Sequence, residues 1–186
     1  MMQFLVLLPY ALMELIMLDN NIIQINSKIY MGIDCSSKAI HSVWVDSHEA
    51  ILTQHKWWSK EKDFDTRFLD FGEDFWDDIS KIKGILENGS NIRAIVEAPI
   101  YIQNPKATIA IASVAGLVRF ICFLGGIKCE YLDNTKWKRD IIGKGNASKV
   151  EIKEYAVNKW GDVFPEQDYA DAACIALWNK RRYENG

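Results

Sequence analysis

Positive charge is scarce in this sequence of 186 residues. The chain holds 22 Lys and Arg against 25 Asp and Glu, which gives a formal net charge of −3. This balance argues against a protein that is basic over its whole surface, but it does not exclude a local basic stripe. Apolar residues make up 49% of the chain and charged residues 25%, proportions typical of one globular domain with a sizeable core.

Paired cysteines and long apolar runs are also missing. The four cysteines form no C-x-x-C motif and lie in apolar stretches, which predicts free thiols in a reducing, cytoplasmic compartment (or its organellar or host-cell equivalent) and no secretion. The apolar opening is broken by Pro9 and Glu14, ends at Asp19 and lacks a basic start. We therefore expect no spanning helix and no membrane partner. Residues 1–30 are interpreted as an N-terminal extension of unassigned role, either a core-covering segment or sequence ahead of a start at Met31.

The rest of the chain alternates between short apolar runs and helical patterns. Three runs separated by turn residues, "KIYMGIDCSS", "AIHSVWVD" and "AILTQHKWW", predict three consecutive antiparallel strands. Two further strands, "IRAIVEAPI" and "IKCEYL", alternate with helices predicted over 60–90, 104–124, 147–160 and 167–182. This order predicts an α/β fold with a five-stranded mixed sheet, its first three strands antiparallel, and helices on both faces.

Four carboxylates fall where these predicted elements end. Asp34 closes the first strand, and Glu97 closes the fourth. Asp168 and Asp171 share one face of the first turn of the last helix, with no Lys or Arg within a turn of them. Clustered carboxylates repel one another and need cations, and hard oxygen ligands suit divalent metal ions. Two such ions about 3.5–4 Å apart can hold a phosphodiester during in-line attack.

Each carboxylate also has a simpler explanation, which the residues alone leave open. Asp168 can cap the last helix and interact with its dipole, while Asp171 is solvated in the first turn. Asp34 can be a turn residue, and Glu97 a surface charge ahead of Pro99. The order of the four residues along one domain favours the metal site.

Four segments resemble, in order and spacing, the RuvC-type Holliday junction resolvases of the RNase H-like nuclease superfamily. They are "GIDCSSKAIHSVWVD", "AIVEAPI", "GKGNASKVEI" and "QDYADAACIALW", of which the last two are the most specific. The resemblance covers most of residues 30–180. It implies that residues 31–186 form one RNase H-like nuclease domain.

The resemblance implies a metal-dependent endonuclease that resolves four-way and related branched DNA by paired nicks during recombination, repair or genome processing. It also implies a homodimer and two Mg²⁺ ions, with Mn²⁺ able to substitute, and nicks that leave 5′-phosphate and 3′-hydroxyl ends. Lys149 matches a catalytic lysine near the scissile phosphate. The residues that match the family's metal ligands are Asp34, Glu97, Asp168 and Asp171.

The expected DNA contacts concentrate in one basic stretch. From Asn134 to Lys153 there are six cations and two anions, so this stretch carries +4 and the rest of the chain −7. Beside a Gly-rich loop and with Trp137 interleaved, such a stretch suits contact with phosphates, although a solvated helix face has the same composition. The expected contact residues are Lys136, Lys138, Arg139, Lys144, Lys149 and, from the loop after the fourth strand, Tyr101.

The sequence departs from the family pattern at two points. Cys35 and Ser36 replace the usual Pro-Gly, and Ile100 and Tyr101 stand where a Phe that wedges into the junction is usual. Two other functions stay open. One is a non-catalytic junction-binding protein of the same fold. The other is an actin-like phosphotransferase, suggested by "GIDCSS", for which the chain is too short to hold the second domain copy.

Three further features are interpreted as structural. The Phe residues recurring over 64–75 predict a core-facing helix stripe. The helix predicted over 104–124 is core or a dimer face, with Gly116 allowing close approach. The histidines suit neither a zinc site nor a catalytic triad and receive no role. They are His41, His48 and His55.

Overall fold

A computed structural model describes residues 28–85, 92–100 and 104–184. The strands are β1 (Ile29–Cys35), β2 (Ala39–Val45), β3 (Ile51–Trp58), β4 (Ile92–Glu97) and β5 (Lys128–Leu132). The helices within these ranges are α1 (Phe64–Ile85), α2 (Pro105–Leu124), α3 (Asn134–Ile142), α4 (Lys149–Trp160) and α5 (Gln167–Glu184). The described residues exclude 1–27 of the N-terminal extension, 86–90 of the helix predicted over 60–90, and Tyr101.

The strands form one mixed sheet in the order β3-β2-β1-β4-β5. The strands β1, β2 and β3 pair antiparallel, whereas β4 pairs parallel with both β1 and β5. The predicted five-stranded mixed sheet is therefore confirmed. Because β2 and β3 form a hairpin, β3 runs in the same direction as β1. The carboxyl ends of β1, β3, β4 and β5 therefore lie at the same end of the sheet.

The two faces of the sheet are covered by different helices. Met31 and Ile33 pack with residues of α1 and α2, whereas Tyr30 packs with residues of α3, α4 and α5. The predicted Phe stripe is core in its second half, since Phe71 and Phe75 are buried, and Phe64 and Phe68 pack against that core while partly buried. The alternation along β1 thus separates an α1–α2 layer from an α3–α5 layer.

The helix α5 packs unusually close to β1. A Cβ on Gly32 would lie 2.1 Å from the Ala172 carbonyl oxygen and 2.2 Å from the Ala176 nitrogen, so only glycine fits there. Every side chain from Tyr169 to Asn179 is buried. Asn179 donates hydrogen bonds from Nδ2 to carbonyl oxygens of β1 and β4 at 3.1 and 2.8 Å. The final helix is therefore a central element of the fold.

The helix α3 was not predicted, because its residues were interpreted only as part of a basic surface. Asp133 caps its start by accepting a hydrogen bond from the Lys136 nitrogen at 3.0 Å. Gly143 ends it in the left-handed region at φ 91°. An N-cap Asp and a glycine ten residues later are the local signals that mark this helix. By contrast, the predicted helix 147–160 is confirmed as α4, which Ser148 and Glu151 open with a capping box.

The helix α2 is apolar on both its buried and its exposed sides. Among the described residues it is the one helix that could span a bilayer by length and composition, and 33% of its apolar window is buried. Phe120 and Phe123 are 58% and 76% exposed. Gly116 has no described atom within 4 Å of an added Cβ. The close approach expected at Gly116 is therefore not made within the described part of the chain.

Replacing Gly32 by Ala tests the contact between α5 and β1. We expect the variant to lose at least about 3 kcal/mol of folding free energy, because the new methyl group overlaps backbone atoms that cannot move aside. Urea unfolding followed by circular dichroism measures this loss. The control is Gly116→Ala, which lies in an exposed helix position with open space and should stabilise the protein by up to about 1 kcal/mol. Equal stability of the two variants would contradict the packing.

Candidate metal centre and nucleic-acid interface

Three of the four predicted carboxylates meet at the carboxyl end of β1. Each of Asp34, Asp168 and Asp171 offers an oxygen within 4.8 Å of the others. Asp34 is the sixth residue of β1, and the two helix residues lie in the first turns of α5. They meet because the close packing at Gly32 sets the start of α5 over this end of the strand. The arrangement explains why a buried helix carries two carboxylates on one face.

The fourth carboxylate, Glu97, lies beside these three at the end of the neighbouring strand. It accepts hydrogen bonds from Trp137 Nε1 at 2.8 Å and from Asn134 Nδ2 at 2.5 Å. Burial raises the pKa of Glu97, and the hydrogen bond from Trp137 opposes that rise. Of the neighbouring charges, that of Glu97 raises the pKa of Asp34 most. All four predicted ligands therefore lie at one end of the sheet, with Glu97 held by α3.

The centre concentrates negative charge among carboxylates that are only partly exposed to water. Enclosure by protein raises the pKa of Asp34 well above its usual range, and the charges of Glu97, Asp171 and Asp168 raise it further. Burial also raises the pKa of Asp171, against a hydrogen bond from Gln167 Nε2 at 3.0 Å. Such shifts indicate carboxylates that lack sufficient positive charge around them.

One lysine contacts the cluster directly. Lys149 Nζ lies 3.0 Å from Asp168 Oδ1. Burial acts against the charged amine, but the hydrogen bond to Asp168 and the other carboxylates raise the pKa of Lys149. One ammonium group does not balance four carboxylates, so the donor set fits a divalent cation with oxygen ligands.

His41, which received no role from the sequence, supports the same centre. It is paired with Asp34 across β1 and β2, and it is almost fully buried. Its Nδ1 lies 3.9 Å from Asp168 Oδ2, and its Nε2 lies 3.3 Å from Glu166 Oε2. Burial lowers the pKa of His41, against the raising effect of Asp168 and Glu166. Lys56 Nζ contacts both oxygens of Glu166 at 2.6 and 2.8 Å, so Glu166 is already satisfied by a cation.

The signal that would have identified His41 is the strand register. The pairs Asp34–His41 and His41–Lys56 set three polar side chains in one row across three strands. Periodicity along the sequence does not give this row, because it depends on which residues face one another between strands.

The basic stretch divides into two parts in space. Lys149 touches the centre, and Lys138 lies near enough to lower the pKa of both Glu97 and Asp171. The three remaining predicted contacts that the structure describes are exposed and engaged locally: Lys136 lies over the Trp178 ring, Arg139 beside Asp140, and Lys144 on Glu151.

Comparison with proteins of known function gives a consistent result. No protein-family model matches the chain. RuvC crossover junction endodeoxyribonucleases of Chlamydia trachomatis serovars L2 and A are each 30% identical to it over 103 residues. The matched stretch covers 53% of this chain and spans 60% of the length of these relatives.

Solved structures show the same likeness over a longer stretch. Thermus thermophilus RuvC in complex with a Holliday junction substrate has a TM-score of 0.65 at 14% identity, covering 81% of this chain and 91% of that one. A second Thermus thermophilus RuvC structure has a TM-score of 0.62, also at 14% identity, covering 84% and 95%. The chain is RuvC-like in sequence and in fold. The predicted RNase H-like fold and the resemblance drawn from the four segments are both confirmed.

Neutralising Asp34 tests the electrostatics of this carboxylate centre. A carboxylate whose pKa is raised by folding lowers stability above its unfolded-state pKa of about 4, and this effect disappears as both states become protonated. We therefore expect Asp34→Asn to stabilise the metal-free protein by about 1 kcal/mol or more at pH 7, with the gain shrinking toward pH 4. Urea unfolding in chelator at several pH values measures the difference.

The same measurement in Mg²⁺ should reverse the order. Mg²⁺ binding to the folded state should stabilise the wild type more than Asp34→Asn, because the variant lacks one ligand. Asp162→Asn, at an exposed position outside the centre, is the control and should change neither result. If Asp34→Asn is less stable than the wild type in chelator at pH 7, repulsion among the carboxylates does not lower the stability of the metal-free protein.

Proposed function

We propose that this chain is a metal-dependent, structure-selective endonuclease that resolves four-way and related branched DNA by paired nicks. The observation that carries the proposal is the convergence of four carboxylates, one in contact with Lys149, at the end of a RuvC-like sheet. A solved RuvC relative is described with a Holliday junction substrate, which supports branched DNA as the substrate class here. Such DNA arises during recombination, repair and genome processing.

The metal ligands would be Asp34, Asp168 and Asp171, with Glu97 completing the set. All four donors are carboxylate oxygens, which favours Mg²⁺, with two ions expected and Mn²⁺ able to substitute. Bound Mg²⁺ would supply Lewis-acid stabilisation of the phosphate and a more acidic attacking water.

The residues around this set have separate roles. Lys149 holds Asp168 in the free protein and would offset the negative charge that develops on the scissile phosphate. Trp137 and Asn134 fix the direction of the Glu97 carboxylate by donating two hydrogen bonds from α3. These contacts keep the ligands in place before DNA or metal arrives, as positioned catalytic groups require.

DNA would bind along the face formed by α3, the following loop and the start of α4. Lys138 and Lys149, which lie at the centre, would contact the phosphates nearest the nick. Lys136, Arg139 and Lys144 extend the positive surface, Lys144 by exchanging Glu151 for a phosphate. Because the rest of the chain carries −7, this face is expected to attract DNA most strongly.

The double substitution of Asp168 and Asp171 by Asn tests the assignment. Cleavage of a synthetic four-way junction in Mg²⁺ should fall by at least about 10²-fold, because two ligands lose their charge. Binding of the uncut junction should remain within a few-fold of wild type, since the change removes no cation. Denaturing gels measure cleavage, and fluorescence anisotropy measures binding.

Asp162→Asn is again the matched control, because it removes a carboxylate outside the centre. Comparing four-way, three-way and linear DNA gives the substrate range. Undiminished cleavage by the double variant would reject the catalytic assignment. A wild-type protein that binds junctions without cutting them would instead be the non-catalytic junction-binding alternative.

We further propose that the enzyme acts as a homodimer through the apolar surface of α1 and α2. These helices border a groove of about 370 Å³ lined by Leu69, Trp76, Leu117 and Phe120, among others. A contiguous patch of exposed aromatic and aliphatic side chains is more often an interaction surface than a surface that stays in contact with water. The groove lies on the side of the sheet opposite α5, so two copies joined there would leave both centres open.

Phe120→Glu tests this interface. A charge in the groove should weaken dimer formation by at least about tenfold, because it cannot be paired in an apolar contact. Sedimentation velocity across a concentration series measures the change. Val163→Glu adds the same charge at another exposed apolar position and should leave association unchanged. A wild-type protein that stays monomeric, or equal association of both variants, would contradict the proposed interface.

We also propose that the protein works in a reducing compartment such as the cytoplasm, as one nuclease domain from β1 onward. The support is that all four cysteines are free, with Cys122 and Cys174 buried.

A further inference from the structure

A second surface adjoins the centre on the third strand. Lys56 faces His41 across β2 and β3, and His41 faces Asp34 across β1 and β2. Lys56 reaches a residue just before α5, so this row lies on the face of the sheet that α5 covers. Trp58 is two residues beyond Lys56 on the same strand, and its side chain therefore points to the same face.

Trp58 is exposed although its neighbour is core. Trp57 is 5% exposed and packs edge-on against Phe75 at 4.7 Å, whereas Trp58 is 56% exposed. Among the described residues the side chain of Trp58 has no ring-stacking or hydrogen-bond partner. Strand spacing of about 4.8 Å and a rise of about 3.4 Å per residue set its Cα roughly 12 Å from that of Asp34. This distance corresponds to a few nucleotides of DNA.

Three lysines whose side chains form no ion pair with a described residue lie near this tryptophan. Lys38 precedes Ala39, which pairs with Trp58 across β2 and β3. Lys60 and Lys62 follow Trp58 in the connection to α1, and all three lysines are exposed. None of them makes an ion pair with a residue that the structure describes, unlike Lys56. Glu61 lies between two of them, and Asp63 and Asp65 follow, so the connection has no net positive charge and only the individual exposed lysines are available to phosphates.

A single exposed aromatic residue is common and by itself indicates nothing. Trp58 differs because it lies at the same end and on the same face of the sheet as the centre. Lys60 and Lys62 follow it in sequence, and Lys38 precedes its cross-strand partner Ala39. An exposed indole next to lysines is the arrangement that holds unpaired nucleotides, through base stacking and phosphate contact.

We propose that Trp58 stacks on an unpaired base of the strand held at the centre, while Lys38, Lys60 and Lys62 contact the phosphates beside that base. This inference rests on the proposed function and adds to it a device for recognising unpaired bases at the branch point. Fully paired DNA offers no free base face to the indole, so the contact discriminates branched from linear DNA. The surface is separate from the basic stretch on α3 and α4.

The test compares Trp58→Ala with Trp58→Phe in binding to a four-way junction without divalent ions, so that no strand is cut. We expect Trp58→Ala to weaken junction binding about tenfold and Trp58→Phe only two- to threefold, since phenylalanine keeps a stacking face. Binding to a linear duplex of the same sequence should change less than about twofold. A junction with 2-aminopurine at the branch point should lose its protein-dependent fluorescence change with Trp58→Ala.

Leu52→Ala is the matched control, because Leu52 is an exposed apolar residue on the same strand but at the far end. It should bind every DNA as the wild type does. The Lys60→Ala, Lys62→Ala double variant should reduce the slope of log affinity against log salt by about 1.4, the value for two single-strand phosphate contacts.

The outcomes separate the two proposals. If the wild type binds and cuts junctions, and Trp58→Ala binds them equally well, the inference is wrong and the nuclease assignment stands. An equal loss on duplex and junction would also overturn it, because stacking on an unpaired base predicts a difference. If the wild type neither binds nor cuts branched DNA, the proposed function fails and the inference fails with it.

Discussion

The contact between α5 and β1 is the constraint on which the rest of this structure depends. Gly32 leaves no room for a Cβ beneath the carbonyl of Ala172, so the helix lies almost on the strand. That closeness needs alanines on the helix side and buries every side chain from Tyr169 to Asn179. It also fixes the start of α5 over the end of β1. The carboxylates of two elements distant in sequence then share one space.

The fold maintains this centre against its own electrostatics. Enclosure and mutual repulsion disfavour the ionised form of Asp34, and one lysine on Asp168 offsets only part of that charge. The large buried core on both faces of the sheet offsets the loss of folding free energy that the crowded carboxylates cause. This repulsion supports the proposed metal dependence, because a bound cation would relieve it and so stabilise the folded protein.

Much of the fold followed from local pattern, and much of the centre from the positions where strands and helices end. The alternation of apolar runs predicted the sheet, and the four acids were found because each closes or opens an element. Lys149 as a direct partner of Asp168 could not be predicted, because 19 residues separate them and the contact depends on how α4 packs on α5. His41 was missed for a similar reason, since its role comes from cross-strand register. The short helix α3 was missed because its basic composition masked the caps at both ends.

The sheet divides the described molecule into two surfaces with different chemistry. The α3–α5 side carries the carboxylates, the basic stretch and the exposed Trp58, whereas the α1–α2 side exposes apolar groups such as Phe120. A four-way junction presents two equivalent strands, and the described residues of one chain form one carboxylate centre that could cut one of them. Paired nicks therefore require two copies, and joining the copies through α1 and α2 keeps both polar faces free for DNA. The separation of apolar and charged surfaces across a single sheet is thus consistent with both parts of the proposed activity, the chemistry and its symmetry.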